Sequence, residues 1–178
     1  EARQALVQVY LLLPGMAGGS VSKAKELAAA ADKRQPEHAK ALRAMIALQD
    51  KQWMEAEREL QSAKPGDDKS LQADLRGSWS QLATQLLADK QVAKAKTIFE
   101  QLQREHPTQA IGPYGLGRVF TEMSQHDEAI KQFERAAGLA GADKLPVDHR
   151  LGIALLNKGE KPQAKAALER FVSNKKAN

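Results

Sequence analysis

The apolar and small positions of this chain recur in blocks. From Arg76 the order is Trp79, Leu82, Ala83, Leu86, then Ala95, Phe99 and Leu102, closed by Pro107. Advanced by 34 positions, it returns as Leu116, Gly117, Phe120, Ala129, Phe133 and Ala136. Another 35 on it reads Leu151, Gly152, Leu155, Gly159, Ala164 and Leu168. Two looser copies come first. One holds Ala44, Ala47, Ala56, Leu60 and Ala63, with Trp53 opening its second helix; the other holds Ala24, Leu27, Ala28 and Ala31, closed by Pro36. The small residues Ala24, Ala56, Ala95, Ala129 and Ala164 are 32, 39, 34 and 35 apart. A period of this length predicts stacked helix–turn–helix units. Their bounds fall at about 1–36, 37–69, 70–109, 110–144 and 145–178, within a single domain.

Packing explains the pattern. A small residue on each first helix (Ala83, Gly117, Gly152) lets the second helix cross closely, and Ala95, Ala129 and Ala164 do the same in return. Leu86, Phe99, Phe120 and Phe133 fill the space between one pair and the next. No pair can bury its apolar face alone, so neighbours stack. Pro36, Pro65 and Pro107 fall between units, and Pro146 and Pro162 at helix starts, where a missing N–H costs nothing. Pro113 lies in the first turn of another helix, and Gly159 marks the turn inside the last pair. The stretch from Lys64 to Ser70 reads as a longer linker and accounts for the spacing of 39.

These residues resemble the tetratricopeptide repeat. That family's pattern places Trp, Leu-Gly, Tyr, Ala, Phe, Ala and Pro along about 34 residues. The resemblance covers essentially the whole chain, strongest in the last three units. It implies an all-α, right-handed solenoid of about five antiparallel helix pairs, and a protein-interaction role.

Composition sharpens this picture. Of 178 residues, 30 are alanine and 8 aromatic, which suits closely packed helices rather than strands. Cysteine is absent, which removes disulfides, thiolate metal sites and a cysteine nucleophile. No apolar run reaches the roughly 18 residues of a membrane span. Of the net charge of +5, +4 lies between Leu151 and Asn178. A polar capping helix explains that basic end better than nucleic-acid binding, because no stacking aromatics accompany it.

Other chemistry fails on spacing. Pro14-Gly15-Met16-Ala17-Gly18-Gly19-Ser20 looks like a phosphate loop, but no Lys follows Gly19 and no second strand follows. We read Ala2–Leu13 as a first helix, the glycines as a turn, and Ser20 as the cap of the next helix. Gly115-Leu116-Gly117 coincides with the repeat's Leu-Gly pair, so helix packing accounts for it. His38, His106, His126 and His149 show no i, i+4 metal spacing, and no Gly-x-Ser-x-Gly elbow exists. The expectation is therefore no enzyme, no cofactor and no metal.

In the family, the first helix of each pair lines a concave groove. By register, the groove positions are Ser80, Gln81, Thr84, Leu87 and Ala88 in the third unit. In the fourth they are Tyr114, Gly115, Arg118, Thr121 and Glu122. In the last they are His149, Arg150, Ile153, Leu156 and Asn157, and the second unit supplies Ala41, Leu42, Met45, Leu48 and Gln49. From these we take Met45, Gln49, Gln81, Thr84, Tyr114, Arg118, Thr121, Glu122, His149, Arg150 and Asn157 as the candidate partner-binding set. The Lys/Asn clamp by which some members hold a terminal carboxylate is not matched, since Ser80 and Tyr114 replace its Lys. Tyr114 and Arg118 lie one turn apart and suggest a peptide with an apolar and an acidic portion. The leading expectation is a scaffold or adaptor of a bacterial assembly; the alternative is an accessory domain of a larger enzyme or secretion machine. The opening Glu1 fits a processed or excised chain, and location leans to the periplasm over the cytoplasm.

Overall fold

The computed structural model describes residues 6–7, 9–11, 13 and 17–177. It is helical throughout. After α1, helical at residues 6–7 and 9–11, come α2 (Val21–Asp32), α3 (Pro36–Gln49), α4 (Trp53–Ser62), α5 (Lys69–Ala88) and α6 (Val92–Glu105). Then follow α7 (Ile111–Glu122), α8 (His126–Ala137), a 3-10 turn at Ala142–Lys144, α9 (Val147–Lys158) and α10 (Lys161–Ala177). Among the described residues there is no strand, only an isolated bridge between Gln109 and Ala140. Contacts divide the chain into two compact units, residues 1–82 and 83–178, the division falling within α5.

In the first unit α2 packs on α3, and α3 on α4. Val7, Ala24, Ala28, Ala31, Ala39, Leu42 and Ile46 form its core. Ser20 caps α2: its hydroxyl accepts from the Lys23 N–H at 3.2 Å. The Ser20 N–H in turn donates to the Tyr10 carbonyl at 2.9 Å, tying α2 to α1. Residues 14–16 of the glycine turn, and residues 2–5, 8 and 12 of the expected first helix, lie outside the described residues. Arg43 on α3 joins three helices, donating to Asp32 of α2 and to Glu59 of α4 at 3.0 Å each.

Two boundaries differ from the sequence reading. Pro36 is the first residue of α3 rather than a spacer, the position where its fixed φ suits a helix and no N–H is needed. The linker is shorter than expected, because α5 begins at Lys69. Asp68 starts it, its Oδ1 accepting from the Leu71 N–H at 2.9 Å.

In the second unit α6 packs on α7, α7 on α8, α8 on α9 and α9 on α10. Its core joins Ala110, Tyr114, Ala129, Phe133, Ala136, Val147, Leu151, Ala154, Leu155, Ala164 and Ala167. All five spacing alanines (24, 56, 95, 129 and 164) have 0% exposure, as packed helix crossings require.

The turns inside pairs carry a second mark of the repeat. Lys51, Lys90, Ser124 and Gly159 follow α3, α5, α7 and α9, and all have positive φ, at 58, 61, 57 and 93°. The next N–H reaches back five residues each time: Gln52 to Ala47, Gln91 to Leu86, Gln125 to Phe120 and Glu160 to Leu155, at 2.8–2.9 Å. This is the Schellman closure of a helix C-terminus.

Candidate protein-interaction site

Helix α7 lies at the centre of the predicted site in the second unit. Residues Gly112 to Gly117 are all buried, because three glycines admit neighbours to the helix backbone. A Cβ on Gly112 would stand 2.7 Å from the Gln103 nitrogen, on Gly115 2.0 Å from Phe99, and on Gly117 2.5 Å from Phe133. Gly115, counted by register as a groove position, is therefore covered by Phe99 of α6. The open side of α7 is left to its last turns, from Arg118 onward.

Tyr114 is 8% exposed, and its ring meets Phe133 of α8 at 6.0 Å between centroids. Packing claims most of that ring. Arg118, one turn on, is half-buried and donates from Nη1 to Thr84 Oγ1 at 3.1 Å. Thr84 and Arg118 are 34 residues apart, at the same place in consecutive units. Thr121 is half-buried, its hydroxyl donating to the Gly117 carbonyl at 2.8 Å. Exposed Glu122 pairs with Lys90 at 2.7 Å.

On α9, His149 is half-buried against Phe171, with ring centroids 5.2 Å apart. Arg150 and Asn157 are exposed, as is Leu156 at 45%. Burial pulls the Arg118 pKa below its ordinary value; Arg150 pulls it the same way, while Tyr114 and Glu122 oppose. The remaining candidates lie in the first unit. There Met45 packs against the core from a half-buried position, and Gln49 and Gln81 are exposed on α3 and α5.

Sequence reasoning missed two open clefts. One of 410 Å³ lies in the first unit over α3, with Ala28, Ile46 and Ala47 in its floor and Asp32 and Arg43 at its rim. One of 420 Å³ lies in the second unit over α9, lined by Ile130, Leu151, Leu155, Glu134 and Lys158. Their common feature is a first helix flanked by two second helices. Arg43 and Lys158 are already engaged by Asp32 and Asp127 respectively.

Among the described residues no group of three or more His, Cys, Asp or Glu could hold a metal ion. Nor is any described helix long and apolar enough to cross a membrane.

No curated protein matches the chain in sequence. The sequence profile of the tetratricopeptide repeat matches residues 72–108 and 148–174. In fold, the chain is similar to a crystal structure of MamA, with TM-score 0.66 and 15% identity over 90% of this chain and 91% of that one. MamA from Desulfovibrio magneticus RS-1 gives TM-score 0.67 and 14% identity over 100% and 98%. Nearly identical TPR-like repeats of Podosopora anserina, described as kinesin light chain, give 0.62 and 21% over 97% and 92%. Period, buried alanines, turn geometry, sequence profile and fold agree: residues 72–108 and 148–174 match the tetratricopeptide repeat, and the chain folds as stacked helix pairs similar to those repeats.

Proposed function

We propose that the chain is a non-enzymatic scaffold that holds a peptide or helix of a protein partner against the exposed side of its first helices. Tetratricopeptide repeats are generally protein-interaction scaffolds, and such domains bind protein partners. The observation that carries the reading is the hydrogen bond from Arg118 to Thr84. It sets the same repeat position of two consecutive first helices side by side. Side chains at that position make one continuous strip, of the kind an extended ligand can follow.

Affinity capture from the source cell tests the proposal, with retained proteins quantified by mass spectrometry. Arg118→Ala is the informative variant, because Tyr114→Ala would also remove packing on Phe133. We expect a protein retained by the native chain to be lost from Arg118→Ala while circular dichroism stays unchanged. An identical retained set for both chains overturns the assignment of this face.

A further inference from the structure

The charges around Arg118 indicate what a partner brings. A guanidinium has five N–H donors arranged as a planar fork that fits a carboxylate. The one donor bond recorded for Arg118 goes to the Thr84 hydroxyl. Among the described residues no carboxylate stands within ion-pair distance of it.

The obvious intramolecular partner is Glu122. It lies four residues further along α7, the spacing at which Arg and Glu pair on a helix face. Glu122 is instead engaged elsewhere: Lys90 Nζ lies 2.7 Å from Glu122 Oε2. Lys90 is the left-handed residue of the turn between α5 and α6, so its position follows from the closure of that pair. Arg150 adds a second positive charge near Arg118, which repels it and attracts an anion. A half-buried cation gains more from a charged partner than a fully solvated one, because less water screens the pair.

We propose that Arg118 is the seat for a carboxylate of the bound peptide, and that Lys90 keeps this seat open by holding Glu122 aside. Thr84 orients the guanidinium and Arg150 adds attraction for the acidic group. The partner is then an acidic peptide with apolar residues beside its carboxylates. This inference rests on the scaffold reading above. It adds the partner's chemistry and a control element within the turn between α5 and α6.

Fluorescence anisotropy with three short labelled peptides tests it. The first alternates Leu and Glu with an amidated C-terminus. The second alternates Leu and Gln, also amidated. The third alternates Leu and Gln but ends in a free carboxylate. We expect the Leu/Glu peptide to bind about tenfold more tightly than the amidated Leu/Gln peptide. Arg118→Gln should remove that advantage, so that the two amidated peptides bind alike. Lys90→Met frees Glu122 to compete and should weaken the Leu/Glu peptide about twofold, the small size expected of an exposed ion pair. Glu122→Gln should restore affinity in the Lys90→Met background, a readout that a merely structural role for Lys90 would not move.

Tighter binding of the third peptide than the second, again lost with Arg118→Gln, supports the seat and assigns it to a chain terminus. Binding of all three alike, lost in Leu156→Gln, leaves the scaffold reading standing and overturns the carboxylate seat. Absence of binding by both carboxylate peptides overturns it too, as does an Arg118→Gln chain that binds Leu/Glu like the native one.

Discussion

The ring of Phe99 lies so close over Gly115 that a Cβ there would stand 2.0 Å from its Cδ1. Phe99 is 1% exposed and belongs to the pair before Gly115, so this contact joins one repeat to the next. Gly115→Ala should push the ring out of place and cost about 3 kcal/mol, the upper end for overpacking a core. Urea unfolding measures it. Phe99→Leu in the Gly115→Ala background should return part of the loss, since the two positions share one space.

Ala95 offers the same test inside a pair. It has 0% exposure on α6, at the crossing that the period assigns to it. Ala95→Leu should cost about 1–3 kcal/mol, whereas Lys94→Leu, next to it and exposed, should stay within about 0.5 kcal/mol. Equal urea midpoints for the two variants would mean that the repeat is misaligned.

The repeat was legible because it rests on small residues, and a small residue at a helix crossing has no substitute of larger size. Ala24, Ala56, Ala95, Ala129 and Ala164 therefore show in sequence what burial confirms. Gly159 was legible as a turn for the same reason, since a left-handed backbone favours glycine. Lys51, Lys90 and Ser124 occupy that conformation without announcing it. Position within the helix pair sets their backbone, and their side chains carry no signal. The candidate site was legible only as a register. That register counted Gly115 and Tyr114 as open, and neighbouring Phe99 and Phe133 cover them. The bonds of Arg118 to Thr84 and of Lys90 to Glu122 join residues 34 and 32 apart, whose rotamers depend on the assembled helices.

Ser124 gives the turn a direct check. It holds φ of 57° at an exposed position, where a side chain is disfavoured and glycine is not. Ser124→Gly should stabilise the protein by about 0.5–1 kcal/mol, the mirror of the usual cost of glycine. Gly159→Ala, at φ of 93°, should destabilise it by about 1 kcal/mol or more. Thermal unfolding of both variants measures these opposite signs.

Glu37 predicts a pH dependence in the first unit. Its side chain accepts from Lys40 at 2.8 Å and from the Lys64 N–H, tying the segment that leaves α4 to the start of α3. The hydrogen bond from Lys40, then that from Lys64, hold its carboxyl below the ordinary carboxylate value, outweighing burial. A lowered folded pKa means that the unfolded chain binds the proton first on acidification. The stabilisation is thus present above the ordinary carboxylate pKa and is lost as pH falls through the lower folded value. Glu37→Gln should unfold at a lower urea concentration at neutral pH and lose less stability than the native chain on acidification. Parallel acid limbs for the two chains would contradict this.

The most direct measurement for the scaffold account is amide hydrogen exchange of the chain alone and with its captured partner bound. The account predicts new protection in the last turns of α7 and in α9, around Arg118 and Arg150, and no change along the exposed faces of α8 and α10. Protection confined to α8 and α10, with α7 and α9 exchanging as in the free chain, would contradict it.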